Sequence, residues 1–171
     1  IAYSLARLPD ISADERAALA QRFAFTAFPI AQERPQDLRL IRDVAPELEH
    51  PASWISAVGG AIAINDLDGD GQPNDLCHVE TRHDTVTVGP VPGTGERLQV
   101  TVLNPQPLPY DAATTAPMGC LPGDFNEDGQ MDLLVYYWGR TPILFFKENN
   151  NYRPAELIAS GERWFSNAAT L

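Results

Sequence analysis

Two stretches of this chain repeat one design. Asp66-Leu67-Asp68-Gly69-Asp70-Gly71-Gln72-Pro73-Asn74-Asp75 and Asp124-Phe125-Asn126-Glu127-Asp128-Gly129-Gln130-Met131-Asp132 each follow a small, apolar lead-in, residues 60–66 and 118–124. Each ends in Asp-Leu before a strand-like run, and Asp124 follows Asp66 by 58 positions. Self-similarity at such a period marks a structural unit that cannot cover its own faces and needs a neighbour of the same kind. Carboxylates crowded this closely repel one another unless a cation joins them.

The second loop places oxygen-bearing side chains at positions 1, 3, 5 and 9 (Asp124, Asn126, Asp128 and Asp132), with Gly129 at position 6. Hard cations take six to eight oxygens, which alternate side chains of a tight turn can supply when a glycine permits the reversal. The carbonyl of Gln130 completes such a ring. The first loop repeats the pattern with Asp66, Asp68, Asp70, Gly71 and Gln72, but carries one extra residue, so either Asn74 or Asp75 supplies its last ligand. Asp75 is favoured because Asp75-Leu76 aligns with Asp132-Leu133 once the turn at Pro73 absorbs the insertion. EF-hands are excluded, since the flanks are strand-like and no glutamate stands at position 12. Plain polar turns rich in Asp, Asn and Gly are the competing reading, weakened by the repetition.

Strand patterns surround both loops. Residues 55–64 are apolar and small, 79–88 alternate around Thr and His, and 98–103 alternate clearly, with a turn over 89–93. The second copy runs from 118 through 133–138, turns at Gly139-Arg140-Thr141-Pro142 and returns over 143–146. Residues 164–171 read as the lead-in of a third copy, so the natural protein is expected to continue past 171. Ahead of these, Ser12-Ala13-Asp14-Glu15 reads as a capping box opening a helix over 13–25, with Leu19 and Phe23 on one face and Pro29 ending it. That face is expected to pack on its own domain or cover a strand edge, with docking on a partner as the alternative. Pro29, Pro35, Pro46 and Pro51 then mark an extended connector with one short apolar run, Leu38-Arg39-Leu40-Ile41. The expected organisation is a helical arm and connector over 1–50 and repeats over 51–171.

Composition narrows the partners. With 23 acidic against 12 basic residues and a net charge of −11, the surface repels nucleic acid and anionic membranes. The longest apolar stretches, such as 57–64, fall short of the roughly 18 residues a membrane helix needs, so no direct insertion is expected. The chain starts at Ile1 with neither Met nor signal peptide, consistent with a removed leader or unseen preceding residues. Cys77 and Cys120 are too few for a zinc cluster; they form a disulfide or remain two buried thiols.

The loops DLDGDGQPNDL and DFNEDGQMDLL resemble FG-GAP/VCBS repeats, as found in integrin α propellers, and GRTPILFFKENN resembles the cartilage acidic protein-like (ASPIC/UnbV) branch. The resemblance covers residues 54–171. It implies a β-propeller, of which this chain holds two blades and the start of a third, with Ca2+ in two blade hairpins and function exercised through protein contacts. Carried over by position, the ligands are Asp66, Asp68, Asp70 and Asp75 in one site and Asp124, Asn126, Asp128 and Asp132 in the other. The insertion at Pro73 departs from the family pattern and puts the first site's last ligand in question.

Other constellations carry less. His78 and Glu80 form an HxE beside Cys77 but lack the PCxxC partner of zinc deaminases. His78 and His83, five apart on an expected strand, point to opposite faces. Gly93-Thr94-Gly95 lacks the setting of a phosphate cradle, and no GxSxG occurs. Tyr136, Tyr137, Trp138, Phe145 and Phe146 are expected to be half buried between sheets. The sequence therefore points to a non-enzymatic, secreted, periplasmic or cell-surface module that binds protein partners, within a larger extracytoplasmic or membrane-associated complex. The alternatives are a non-catalytic accessory part of a longer secreted hydrolase or lyase, and a purely structural unit.

Overall fold

The computed structural model describes residues 11–30, 41–58, 60–158 and 169. Helix α1 (Ala13–Ala20), a 3-10 turn (Pro46–Leu48) and helix α2 (Ala52–Val58) precede two four-stranded antiparallel sheets. The first sheet is β1 (Gly60–Asn65), β2 (Asp75–Glu80), β3 (Thr85–Pro90) and β4 (Thr101–Val102), in that order. The second is β5 (Ala116–Gly123), β6 (Asp132–Trp138), β7 (Ile143–Glu148) and β8 (Asn151–Glu156), again sequential. The chain is thus mostly β, and each acidic stretch joins the first two strands of a sheet.

Period-two alternation sets the core. Leu133, Val135 and Tyr137 on β6 and Ile143 and Phe145 on β7 turn inward to meet Cys77, Val79, Val86 and Val88 from the first sheet. Burying each large apolar side chain stabilises by about 1.5–3 kcal/mol, so this inter-sheet cluster is the main driving force. β1 and β2 lie against β5, and a disulfide there links Cys77 to Cys120, with Cα atoms 6.6 Å apart and 43 residues between them in sequence. The aromatic run divides as alternation demands: Tyr137 and Phe145 are buried, while Tyr136 and Trp138 face the other way and pack with Ile55, Ala116 and Met118.

Several element boundaries differ from expectation. The Ser12–Glu15 capping box forms, but α1 ends at Ala20 rather than 25. None of its residues is buried, so among the described residues it packs on no sheet, and Phe23 and Phe25 merely stack on one another, centroids 6.2 Å apart. With no face to bury, the aromatic and β-branched residues beyond 22 have too little helix propensity to extend it. Residues 55–64 divide into the end of α2 and β1, because Ile55 finds a buried site beneath the second sheet in helical form. Residues 79–88 form a hairpin, not one strand: Asp84, at φ 59°, supplies the left-handed turn between β2 and β3. His78 and His83 therefore lie on a strand and on that turn. Only Thr101–Val102 of 98–103 is strand, whereas β8, which was not expected, pairs fully with β7. The run 38–40 and most of the third lead-in, 164–168 and 170–171, lie outside the described residues.

Residues before 50 also join the sheets. Arg42 is 3% exposed and donates to the carbonyls of Thr81, Ala112 and Thr115 and to Asp84, tying the connector to the β2–β3 turn and to the approach to β5.

Candidate metal centre

The two acidic loops share five hydrogen bonds from backbone amides to side-chain oxygens. The amides of Asp70 and Gly71 donate to the two oxygens of Asp66 at 3.1 and 2.8 Å; those of Asp128 and Gly129 donate to Asp124 at 3.0 and 2.9 Å. Asp70 N–H also donates to Asp68 Oδ1, and Asp128 N–H to Asn126 Oδ1, both at 3.1 Å. Gln72 N–H donates to Asp70 Oδ1 and Gln130 N–H to Asp128 Oδ1, both at 2.8 Å. The residue at position 2 closes each loop: Leu67 N–H donates to Asp75 Oδ2 at 2.8 Å and Phe125 N–H to Asp132 Oδ2 at 3.1 Å. Gly71 and Gly129 take φ of +84° and +82°, a conformation closed to most side chains, which is why position 6 is glycine in both copies.

Asp75, rather than Asn74, thus occupies the place equivalent to Asp132, and both carboxylates are fully buried at the first residue of β2 and β6. Carboxylate oxygens of Asp66, Asp68 and Asp75 lie within 4.8 Å of one another, a triad that could hold a metal ion. Asp70 stands outside that triad. Its Oδ2 accepts from the Asn74 side-chain amide at 3.4 Å, while Gln72 and Gln130 enter the networks through their backbone amides.

The donor set suits a hard divalent cation. It is all oxygen and largely carboxylate, and its buried Asp75 Oδ1 accepts no aligned hydrogen bond, its neighbour being the Arg97 guanidinium at 2.7 Å. Backbone amides favour the charged form of Asp66 and of Asp128. Burial works against Asp66, but the N–H groups of Gly69, Gly71 and Asp70, with the nearby Lys147, bring its pKa below the usual carboxylate value. Asp128 is lowered chiefly by the Gln130 amide and then by Asn126.

Three residues with no signal in the sequence complete the region. Arg97 reaches back over the first loop: Nη1 donates to Asp68 Oδ2 and Nη2 to the Asn74 carbonyl, both at 2.6 Å. Its Nη2 also lies 2.7 Å from Asp75 Oδ1, an ion pair without hydrogen-bond alignment. Lys147 on β7 donates its ammonium to the Leu67 carbonyl, joining the sheets above the core, while its backbone N–H donates to Asp132 Oδ1 at 2.8 Å. Tyr152 on β8 buries its hydroxyl; that burial, reinforced by Asp75 and Asp132, pushes its pKa up to about 12. Together with Asp68, Asp70 and Asn150, these three line a cleft of about 450 Å³. No short-range spacing betrays them, since each comes from a strand or loop remote in sequence.

His78 is buried on β2, where burial lowers its pKa and Glu80 partly restores it, and Glu80 forms a bidentate pair with Arg82. Among the described residues, no helix is long and apolar enough to cross a membrane.

No protein-family model matches the chain, and no curated protein or solved structure matches it at a significant level.

Proposed function

We propose that this chain is part of an extracytoplasmic, calcium-binding β-propeller of FG-GAP/VCBS type, in which the ion staples blade hairpins and the assembled blades present a surface to other proteins. The observation that carries this reading is the duplicated network: two loops 58 residues apart in sequence fold their oxygen donors the same way, each between the first two strands of a four-stranded meander. Backbone turns alone do not require the buried terminal aspartate that both copies retain.

Further support comes from the surfaces. Ile62 and Ile64 on β1 are 52% and 57% exposed on the face turned away from the core, the condition of a sheet that stands between neighbours in a ring. The disulfide is compatible with a secreted or cell-surface setting. In the second loop Asp124, Asn126, Asp128 and Asp132, with the Gln130 carbonyl, would hold the ion. A bound divalent ion there offsets the repulsion among the carboxylates and cross-links the hairpin at its mouth.

Thermal melting of the chain in EDTA and in roughly 5 mM calcium tests the proposal. Sites of extracellular type bind at about 10⁻⁴–10⁻³ M, so calcium should add about 1–2 kcal/mol per occupied site and raise the melting temperature. Asp128→Ala should remove the calcium-dependent rise while leaving the melt in EDTA cooperative. Identical melts of the wild type with and without calcium would refute calcium binding.

A further inference from the structure

We infer that the first loop carries its own cation: Arg97 occupies the cation position of that loop, so calcium binds the second loop alone until Arg97 is removed. This deepens the calcium reading above and rests on it for the second loop.

The guanidinium contacts two of the three carboxylates that could gather a metal, Asp68 at 2.6 Å and Asp75 at 2.7 Å, and stands 3.5 Å from Asp70. Nothing comparable happens in the second loop among the described residues. Among the described residues, Asp124, Asp128 and Asp132 accept only backbone amides and the side-chain amides of Asn126 and Gln130. The oxygens also differ in what a metal must displace. Asp68 and Asp75 each give one oxygen to backbone N–H groups and the other to Arg97. A divalent ion entering there meets a fixed positive charge in contact with its own ligands, and the two compete for the same oxygens.

The sequence difference between the loops serves this arrangement. Position 3 is an aspartate, Asp68, in the loop that Arg97 enters, and a neutral Asn126 in the loop without it. The extra residue of the first loop places the Asn74 carbonyl 2.6 Å from Arg97 Nη2, a contact that has no counterpart in the shorter loop. Asp68, Asp75 and Asp70 surround the guanidinium with opposite charge at 2.6, 2.7 and 3.5 Å. Thr94 Oγ1 accepts from the same Nη2 at 3.3 Å, which fixes the approach of the arginine from its own loop.

Calorimetric titration of the full chain with calcium, to about 2 mM, decides the matter. The wild type should bind one equivalent. Asp66→Asn should leave that equivalent unchanged, because the first loop is not its site, and Asp128→Ala should abolish it. Arg97→Gln should bind two equivalents over the same range. Arg97→Lys, which keeps a cation, should stay at one. Two equivalents in the wild type, loss of its single equivalent in Asp66→Asn, or no gain in a folded Arg97→Gln overturns the inference. If the wild type binds none and Arg97→Gln binds one, the arginine assignment stands and the calcium reading of the second loop falls. Should Arg97→Gln fail to fold, the wild-type stoichiometry and Asp66→Asn still separate success from failure.

Discussion

The first and second acidic loops hold the same five hydrogen bonds from backbone amides, yet among the described residues one is closed by an arginine and the other is not. The shared part is local. It follows from Asp or Asn at positions 1, 3 and 5 accepting amides two to five residues on, from the terminal aspartate accepting the amide of position 2, and from a glycine where the chain reverses. The unshared part is tertiary, since Arg97 arrives from the loop beyond β3. A turn can therefore be copied with its backbone intact while its charge balance is set by a residue outside the copied segment. Loop sequence alone sets the backbone network and is silent on the charged group that reaches into it.

The strongest way to break the pairing is to cut the link between the copies. The Cys77–Cys120 disulfide ties β2 of the first sheet to β5 of the second across 43 residues. Loop-closure entropy assigns such a bond about 4 kcal/mol. Replacing both cysteines with alanine should lower the urea unfolding free energy by that order, and the loss should be the same with and without calcium. A calcium-dependent loss would show that the loops sense the inter-sheet bond. A loss under about 1 kcal/mol would show that the shared apolar core alone holds the sheets together.

A smaller effect separates the loops directly. Asp132 accepts the amides of Phe125 and Lys147 from full burial, so Asp132→Ala orphans two N–H groups and should cost about 2–4 kcal/mol in EDTA. Asp75 is equally buried and accepts the amides of Leu67 and Asp68, so Asp75→Ala should cost a similar amount. Calcium distinguishes them. Its stabilisation of the chain should vanish in Asp132→Ala and persist in Asp75→Ala, read from melts in EDTA and in calcium. Persistence in both variants would place the bound ion elsewhere.

What could be read from the sequence follows the same division between local and distant. The acidic loops, the hairpin at 139–142 and the capping box at Ser12 were legible because turn residues and caps act over three to six positions. The β2–β3 hairpin was not, because Thr81-Arg82-His83-Asp84 contains no glycine, proline or asparagine and its reversal depends on a left-handed Asp84. A short apolar run such as 55–64 fits helix or strand equally, and packing of Ile55 against Met118 decided it. β8 did leave a trace: Asn149 at φ 58° begins a turn in the Glu148-Asn149-Asn150-Asn151 stretch, an asparagine signal for a tight hairpin. Arg97, Lys147 and Tyr152 left none, and Arg97 is the residue that distinguishes one loop from the other.

The least effect expected concerns position 4, where the copies differ in residue but agree in backbone. Gly69 sits at φ +84° and Glu127 at φ 59°, both left-handed. A glutamate there carries the Cβ clash that glycine avoids, while glycine has more freedom to lose on folding. Position 4 also donates differently: Gly69 N–H reaches Asp66 Oδ1 at 2.7 Å, in addition to the bonds that the two loops share. Glu127→Gly should therefore stabilise the chain by roughly 0.5–1 kcal/mol in chemical unfolding, and Gly69→Ala should destabilise it by a similar amount. Because Glu127 lies outside the ligand positions, its replacement should leave calcium stoichiometry unchanged. Destabilisation by Glu127→Gly would mean that the exposed glutamate holds its loop through a contact stronger than the strain it imposes.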